Sequence, residues 1–363
     1  MIKISKDYDL TKLNTFGIKA KASLFVEINS EEELKELFNL KEFQEQERLF
    51  LGGGSNVLFT KDFEGIVILN KLKGIEIINE TSEYVFIKSM GGEWWNDLVN
   101  FAVDRGYWGI ENLALIPGTV GATPVQNIGA YGIELKDILE NVEAYDVKTA
   151  EKKVFTNTEC EFGYRDSVFK SRLKGKYFIL AVVLKLNKNS NPNISYKFLK
   201  DYLMEKKLDE TNIKNVNDAV AEIRRSKLPD PKILGNAGSF FKNVFVPVEK
   251  LKELLEIYPS MPYFEDGEMI NPVISRPREH VSATVTLGRP ASNRVKIPAG
   301  WLIEQCGWKG KRIGNVGVHE RQALVLVNYG GATGEEIKNL AEQIIDSVYQ
   351  KFGLKLTLEV NLI

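Results

Sequence analysis

One stretch of the chain, from Asn112 to Ile133, carries no charged side chain and contains two prolines and four glycines. An uncharged stretch of this length raises the possibility of a membrane helix, but Pro117, Pro124 and the glycines interrupt any such helix. A loop longer than about 12–15 residues in a compact domain usually has a function. The stretch therefore predicts a long, neutral binding loop that the rest of the fold must hold in place.

The residue types of this loop favour a large, flat ligand that forms hydrogen bonds, such as an isoalloxazine ring. Small residues let the backbone approach a ligand closely, and the loop adds amide and hydroxyl side chains. A solvent-exposed loop is the alternative, although such loops seldom avoid charge over this length. The predicted contacts are Ile116, Pro117, Gly118, Thr119, Gly121, Ala122, Gln126, Asn127, Gly129, Ala130, Tyr131 and Gly132.

A second glycine cluster follows the predicted strand Arg48–Leu51. Consecutive glycines after a strand can aim backbone N–H groups at a phosphate. The cluster lacks the Lys-Ser/Thr of a nucleoside-triphosphate loop, and Val57 stands where the dinucleotide fingerprint has its third glycine. Phosphate binding and a plain tight turn therefore both remain open. The cluster consists of Gly52, Gly53, Gly54, Ser55 and Asn56.

Hydrophobic periodicity predicts an α+β fold. Ser30 and Glu33 indicate a capping box, and Thr333 with Glu336 indicates another at the start of a helix that ends at Phe352. The predicted strands are Leu24–Ile28, Arg48–Leu51, Tyr84–Ser89, Val142–Val147, Tyr177–Leu186 and Leu354–Leu362. Further helices are predicted around Trp95–Ala102, Phe198–Met204 and Val216–Ile223.

Composition narrows the class of protein. A chain of 363 residues suggests two or three domains at roughly 100–200 residues each. The 48 basic and 49 acidic residues nearly balance, so nothing favours nucleic acid or an anionic membrane as a partner. The N-terminus lacks an apolar signal segment, which predicts a cytoplasmic protein. Two cysteines and two histidines without ligand spacing predict no metal site.

Arg165 and Glu359 are candidate functional residues. The guanidinium of Arg165 is a planar, permanently charged fork that suits a carboxylate or phosphate. A surface ion pair between Arg165 and Asp166 is the simpler interpretation for an isolated arginine. Glu359 lies in the predicted final strand, where its carboxylate could equally face solvent.

Ser239 lies between a glycine and two aromatic residues. No nucleophile elbow surrounds it, and neither histidine is adjacent in sequence. Without an activating base, a serine suits proton or hydrogen-bond donation better than nucleophilic attack. A structural role remains the alternative, and the sequence does not exclude His319 as a spatial neighbour.

Taken in order, these segments resemble the UDP-N-acetylenolpyruvoylglucosamine reductase family, and the polar region around Tyr196 resembles its longer form. The resemblance implies non-covalent FAD held by two α+β subdomains of the vanillyl-alcohol-oxidase (PCMH) type, followed by an α+β substrate-binding domain. It places these at 1–70, 71–225 and 226–363, with a return of the final strand to the first domain as an alternative. The matching segments are Asn14–Gly17, Gly52–Asn56, Ile116–Gly132, Tyr164–Lys170, Lys227–Asn243, Ala299–Asn328 and the final strand.

The resemblance also implies an activity in peptidoglycan precursor synthesis. NADPH reduces the flavin, and the enolpyruvyl ether of UDP-N-acetylglucosamine is then reduced in the same site, in a protein expected to be a monomer. Ser239 is the implied proton donor, and Arg165 and Glu359 polarise the enolpyruvyl carboxylate. The implied substrate contacts are Tyr164, Tyr196, Lys227, Asn243 and Gln322.

Three departures from the family pattern qualify these roles. Val244 stands where a proline is common, and Asn361 stands where the closing strand usually has arginine. The stretch Ser275–Val295 is longer than usual and contains Arg276, Arg278, Arg289 and Arg294. A solvated basic loop is the favoured interpretation of that stretch over an added phosphate contact.

Two rival functions remain at this level. One is another flavin oxidoreductase that acts on an alcohol or a sugar; many of these attach the flavin through histidine, and no histidine precedes His280 here. The other is a flavin- or nucleotide-binding protein without turnover, in which Ser239, Arg165 and Glu359 are incidental. The choice of NADPH over NADH does not follow from the sequence.

Overall fold

The computed structural model describes residues 2–265, 268–270 and 294–363. The chain divides into two units, Met1–Asn236 together with Asn361–Ile363, and Ala237–Val360. His280 and the basic stretch Ser275–Val295, except Arg294 and Val295, lie outside the described residues. The division of the chain at residues 70 and 225 stays a prediction.

The first unit begins with a four-stranded sheet in the order β1-β2-β5-β3. Strands β2, β5 and β3 are parallel, and β1 is antiparallel to β2. Ser30 caps α1 by accepting a hydrogen bond from Glu33 N, whereas the Glu33 carboxylate accepts one from Asn29 N, so the predicted reciprocal box is only half formed. The elements are β1 (Ser5–Asp9), β2 (Lys21–Ile28), α1 (Glu31–Phe38), α2 (Lys41–Glu45), β3 (Glu47–Leu51), β4 (Val57–Leu58) and β5 (Phe63–Asn70).

A five-stranded antiparallel sheet follows, in the order β11-β10-β12-β7-β6. A separate hairpin, β8–β9, lies in the uncharged loop. The elements are β6 (Ile75–Glu80), β7 (Tyr84–Met90), α3 (Trp95–Val103), β8 (Gly129–Ala130), β9 (Ile133–Glu134), β10 (Leu139–Asp146), β11 (Lys152–Thr156), β12 (Tyr177–Asn187), α4 (Lys197–Lys206) and α5 (Ile213–Lys227).

The central strand β12 is apolar on both faces because both faces are covered. Phe178 and Leu180 pack in one core with α1 and the first sheet. Ile179, Val182 and Leu184 pack in a second core with α3, α5 and the uncharged loop. Burial on both sides explains the continuous apolar run of this strand, and the second core holds the loop against the sheet.

The second unit contains two small sheets, in the orders β13-β20-β19-β18 and β14-β17-β15-β16. The capping box of Thr333 and Glu336 opens α8, and Gly353, with φ of 65°, ends it. The elements are β13 (Gly235–Ser239), β14 (Val244–Pro247), α6 (Val248–Ile257), β15 (Tyr263–Glu265), β16 (Glu268–Ile270), β17 (Arg294–Ile297), α7 (Ala299–Gln305), β18 (Arg312–Ile313), β19 (Val316–Val318), β20 (Val325–Asn328) and α8 (Gly334–Phe352).

The prediction of one strand over Leu354–Leu362 was wrong. Only β21 (Asn361–Leu362) is a strand, and it pairs in parallel with β4 in the first unit. The preceding residues form only an isolated bridge, Phe241 with Leu358, in the second unit. The backbone changes partner at Val360, so neither ladder grows long. Within the described part of the chain, no helix is both long and apolar enough to cross a membrane.

Candidate cofactor and substrate sites

The first glycine cluster forms a turn that requires glycine at its third position. Gly54 has φ of 62°, and a Cβ atom there would lie 1.8 Å from the carbonyl oxygen of Leu13. The carbonyl of Gly54 accepts a hydrogen bond from Thr15 N at 3.0 Å. Asn14, which is buried, orders the same segment by bonding Leu10 and Ile18. The segment Asn14–Gly17 thus holds the turn through the hydrogen bond to Gly54.

The turn lies directly against the uncharged loop. A Cβ atom on Gly53 would lie 2.8 Å from Gly118 Cα, so the two backbones touch. Ser55 Oγ donates a hydrogen bond to Pro117 O at 3.0 Å. Asn56 Nδ2 donates a hydrogen bond to Gln126 Oε1. The structure therefore brings together the two segments that the sequence predicts as cofactor-binding.

A cavity of about 190 Å³ lies beside this junction, within the first unit. The hydroxyl of Thr119 is buried and has no hydrogen-bond partner among the described residues. A Cβ atom on Gly52 would lie 2.5 Å from that hydroxyl. An orphaned hydroxyl beside side-chain-free backbone fits a bound group that brings its own hydrogen-bonding atoms, as FAD does. The lining includes Gly52, Thr119, Gly121, Ala122, Asn361 and Ile363.

The end of the uncharged loop is held by its own side chains. Asn127 has φ of 46°, and its Nδ2 donates to Glu134 Oε2 at 2.9 Å and to Gly163 O at 3.0 Å. Its Oδ1 accepts a hydrogen bond from Lys136 N at 3.1 Å. The side-chain amide of Asn127 is therefore fully bonded within the protein. The predicted cofactor contact at this residue would then be made by its backbone. The roles of Gly129, Ala130, Tyr131 and Gly132, in and beside the β8–β9 hairpin, stay predictions.

Arg165 packs its guanidinium against this hairpin. Its Nη2 donates to Gly129 O at 2.6 Å, and its Nη1 lies 3.8 Å from Glu134 Oε1. The guanidinium carbon is 5.3 Å from the ring centre of Tyr164. Arg165 has φ of 54°, a conformation that costs free energy and that clusters at functional sites. These contacts point the side chain at the loop and argue against a simple surface pair with Asp166.

Two predicted substrate residues of the first unit, Tyr196 and Lys227, each pack against an aromatic ring, and the ring beside Tyr196 belongs to the predicted cofactor residue Tyr131. The rings of Tyr131 and Tyr196 meet edge to face, with centroids 5.3 Å apart. Lys227 Nζ lies 3.3 Å from the ring centre of Phe198. Burial raises the pKa of Tyr131 to about 12 and also raises that of Tyr196. Burial lowers the pKa of Lys227. Both tyrosines therefore stay neutral, and their hydroxyls can donate and accept hydrogen bonds.

Arg224 is a candidate functional residue that the sequence reasoning missed. It lies near the C-terminal end of α5, three residues before Lys227, so the two side chains share a helix face. Its Nε is buried without a hydrogen-bond partner among the described residues. Arg225, by contrast, is exposed. The sequence signal for Arg224 is the Arg-x-x-Lys spacing, which places Arg224 and Lys227 on one helix face.

The predicted site residues of the second unit gather around one segment, Ser239–Asn243. Phe240 O accepts a hydrogen bond from Glu359 N at 2.9 Å, which pairs Glu359 with Phe240, the residue that follows Ser239. Both side chains are half-buried. Among the described residues the Ser239 hydroxyl makes no hydrogen bond to His319, whose Nδ1 accepts one from Arg321 N at 3.4 Å. No histidine therefore activates Ser239 as a nucleophile there.

Asn243 is the last residue of the segment Ser239–Asn243, and Gln322 is connected to that segment through Leu324. Asn243 Oδ1 accepts a hydrogen bond from Ala299 N at 3.0 Å, so it caps the start of α7. Phe240 N donates to Leu324 O at 2.8 Å, and Leu324 N donates to Gln322 Oε1 at 3.2 Å. These bonds bring two further predicted substrate contacts close to Ser239 within the second unit.

The chain matches two protein families. Residues 230–363 match the C-terminal domain of UDP-N-acetylenolpyruvoylglucosamine reductase, and residues 22–156 match an FAD binding domain. The UDP-N-acetylenolpyruvoylglucosamine reductase of Flavobacterium johnsoniae is 45% identical over 363 residues, which is 100% of both chains. That of Neisseria gonorrhoeae is 42% identical over 354 residues, 97% of this chain and 95% of the relative.

A solved structure shows the same fold. The crystal structure of the UDP-N-acetylenolpyruvylglucosamine reductase from Thermus caldophilus superposes with a TM-score of 0.65 at 21% identity, covering 100% of this chain and 98% of that one. The predicted fold class is thereby confirmed. The full-length identity and both domain matches show that the chain belongs to the UDP-N-acetylenolpyruvoylglucosamine reductase family and is an FAD-dependent oxidoreductase that takes its electrons from NADPH.

Proposed function

We propose that Ser239, Arg165 and Glu359 carry the chemical step in the reduction of UDP-N-acetyl-3-O-(1-carboxyvinyl)-glucosamine to UDP-N-acetylmuramate, a step of peptidoglycan precursor synthesis. The observation that carries the proposal is the backbone bond from Glu359 N to Phe240 O, which pairs Glu359 with the neighbour of Ser239, a serine that no histidine of the described residues activates. The chemistry that bound FAD supplies is hydride transfer from NADPH to the terminal vinyl carbon. The glycine turn and the uncharged loop would hold it.

Ser239 is the proposed proton donor. Hydride addition at the terminal carbon leaves negative charge on the ether-bearing carbon, delocalised into the carboxylate as an enolate. That carbon then takes a proton on one face. A serine hydroxyl is a weak acid, but an enolate is a strong base, so a positioned hydroxyl can donate. The half-buried position of Ser239 on β13 leaves its hydroxyl available for this transfer.

Arg165 and Glu359 are the proposed residues that stabilise the enolate. The Arg165 guanidinium is held in place by the carbonyl of Gly129 at 2.6 Å, so its orientation is established before substrate binds. A pre-oriented positive charge lowers the cost of charge that develops in the transition state. Glu359 is proposed to polarise the carboxylate together with this arginine.

Lys227 and Tyr196 are proposed to bind the diphosphate of the substrate, with Tyr164, Asn243 and Gln322 as further contacts. Lys227→Ala removes a charge-assisted hydrogen bond, which is worth about 1.5–3 kcal/mol. KM for the nucleotide substrate should therefore rise, and kcat should fall only where diphosphate binding orients the ether. Lys214→Ala, on the exposed start of the same helix, is the matched control. A parental KM for Lys227→Ala would remove this assignment.

The proposed function is tested with the yellow holoenzyme under anaerobic conditions. NADPH should bleach the flavin absorbance, and the enolpyruvyl nucleotide should restore it. Absorbance that returns only after oxygen is admitted would favour a flavin-binding protein without this turnover, and bleaching of the oxidised flavin by simple alcohols or sugars would favour an oxidase of the same fold.

A cytoplasmic monomer is part of the proposal. NADPH and nucleotide sugars are cytoplasmic metabolites. Light scattering on the eluted holoenzyme should give a mass near 41.1 kDa. A mass of twice that value would contradict the monomer without affecting the assigned roles.

A further inference from the structure

Helix α5 holds a half-buried arginine, Arg224, whose Nε the described part of the protein leaves unsatisfied. Arg224 Nε is closed off from solvent and lacks a hydrogen-bond partner, and no acidic side chain of the described residues pairs with the guanidinium. Asn217, two turns earlier on the same helix, also has a buried Oδ1 that no described residue satisfies. Native proteins leave few buried polar atoms unsatisfied, so such a group requires an explanation.

The neighbours of Arg224 make its position more costly. Burial is the main cause that lowers the pKa of its guanidinium; Tyr131 opposes that shift, and the positive charge of Arg165 adds to it. Arg165 is bonded to Gly129, two residues before Tyr131 on the same loop. Both arginines and Tyr131 thus lie near the β8–β9 hairpin, where Glu134 faces Arg165 at 3.8 Å and does not pair with Arg224.

A buried charge without a partner is strongly unfavourable, and a second charge of the same sign makes it more so. A bound anion removes both penalties at once. Two guanidinium groups at one place suit a carboxylate, because each offers a planar fork of N–H donors. Lys227, one turn further along α5, is a point charge and suits the diphosphate instead.

We infer that Arg224 binds the enolpyruvyl carboxylate of the substrate together with Arg165. This inference rests on the proposed function. Arg224 then shares with Arg165 the stabilisation of the enolate as hydride arrives, and the ligand satisfies the guanidinium that the protein leaves unpaired.

A structural role for Arg224 makes the opposite prediction about stability. A structural arginine lowers the melting temperature when it is removed, because its partners are left unpaired. An arginine kept only for a ligand leaves the ligand-free protein unchanged or more stable when it is replaced by an apolar residue of similar length. Arg224→Met keeps an unbranched aliphatic stem of similar length and removes the charge.

The experiment compares Arg224→Met with Arg225→Met, which removes the same charge from an exposed position one residue away. Flavin absorbance titrations of the oxidised holoenzymes give Kd for the enolpyruvyl nucleotide and for UDP-N-acetylglucosamine, which has the diphosphate but no carboxylate. Arg224→Met should raise Kd for the enolpyruvyl nucleotide about 10- to 100-fold. Its Kd for UDP-N-acetylglucosamine should stay at the parental value. Its melting temperature should equal or exceed the parental value. Arg224→Lys should recover part of the lost affinity.

Parental affinity of Arg224→Met for the enolpyruvyl nucleotide would overturn the inference. Equal losses for both nucleotides would also overturn it, because they would assign Arg224 to the diphosphate or to the fold. A melting temperature below that of Arg225→Met would indicate a structural arginine. Failure of the proposed function would show instead in the parental enzyme, as an absence of flavin reoxidation by the enolpyruvyl nucleotide.

Discussion

At the scale of single residues, the structure separates side chains that the protein itself uses from side chains left for ligands. The side-chain amide of Asn127 forms hydrogen bonds with Glu134, Gly163 and Lys136. The hydroxyl of Thr119 has no partner among the described residues. Both lie in the same loop and both are candidate cofactor residues by sequence. The hydrogen bonds therefore show that Asn127 braces the loop, and they leave the Thr119 hydroxyl as the predicted cofactor contact.

Ser239→Ala is expected to affect one half-reaction only. Flavin reduction by NADPH should stay near the parental rate, because no carbon is protonated in that step. Flavin reoxidation by the enolpyruvyl nucleotide should slow by about 10²–10⁴-fold, the usual contribution of general acid catalysis. Stopped-flow flavin absorbance follows each half separately. Parental reoxidation would exclude Ser239 from the chemistry, and slowing of both halves would indicate damage to the flavin pocket.

At the scale of elements, the glycine turn after β3 depends on a contact that most glycines do not have. Gly54 and Gly17 have nearly equal φ values, 62° and 66°, yet a Cβ atom would meet Leu13 O at 1.8 Å in Gly54 and nothing within 4 Å in Gly17. The strain of a left-handed residue is therefore common to both positions, whereas the steric clash belongs to Gly54 alone.

Gly54→Ala should accordingly lose FAD, and Gly17→Ala should keep it. The left-handed conformation costs an alanine about 1–2 kcal/mol, which Gly17→Ala also bears. The clash at Gly54 must move the turn away from Leu13. The ratio of flavin absorbance to protein absorbance reports the FAD content of each purified variant. Equal FAD contents in the two variants would show that the turn does not hold the cofactor.

The final strand β21 is the second element with a consequence for the cofactor. Asn361 donates two hydrogen bonds to Asn56 O, from its backbone N at 3.1 Å and from Nδ2 at 3.0 Å. Thr60 N and Thr60 Oγ1 both donate to Ile363 O at 2.8 Å. Asn361, which departs from the usual arginine, therefore keeps a role here as an anchor of the glycine turn.

Asn361→Ala is expected to weaken FAD binding by removing one of these bonds, a change of about 0.5–1.5 kcal/mol or roughly 2- to 10-fold in Kd. Asn157→Ala is the matched control, because Asn157 Nδ2 also donates to two carbonyls of the first unit but lies away from the cavity. Fluorescence titration of the apoprotein with FAD gives both constants. A larger loss of FAD affinity in Asn157→Ala would refute a specific role for Asn361.

At the scale of the whole molecule, the chemistry of the chain argues for a cofactor held without a covalent bond. No histidine occurs before His280, so the first unit has none to attach a flavin. Its cysteine, Cys160, is buried, and burial raises the pKa of the thiol to about 12. A thiol that stays protonated at neutral pH is a poor nucleophile.

Acid denaturation should therefore release all of the flavin into the supernatant as FAD. Chromatography of the supernatant identifies the flavin, and absorbance of the washed precipitate measures what remains on the chain. Flavin retained by the precipitate would indicate a covalent link, and release of FMN would contradict the predicted cofactor.

The amino-acid sequence by itself determined the features that depend on a few neighbouring residues. Thr333 and Glu336 cap α8 as predicted, and β12 is buried as its apolar run indicated. The two glycine segments follow from the φ angles and close approaches that only glycine allows. The family resemblance was also readable from the sequence, because it depends on the order of such local segments.

Only the tertiary structure decided which distant residues meet. Glu359 bonds to the backbone of Phe240, next to Ser239, whereas Asn361 pairs with β4 of the first unit, so the single strand predicted there does not form. The burial of Arg224 Nε without a partner among the described residues is likewise visible only in the tertiary structure. Desolvation and backbone pairing depend on segments far apart in the chain, and local sequence rules contain no information about them.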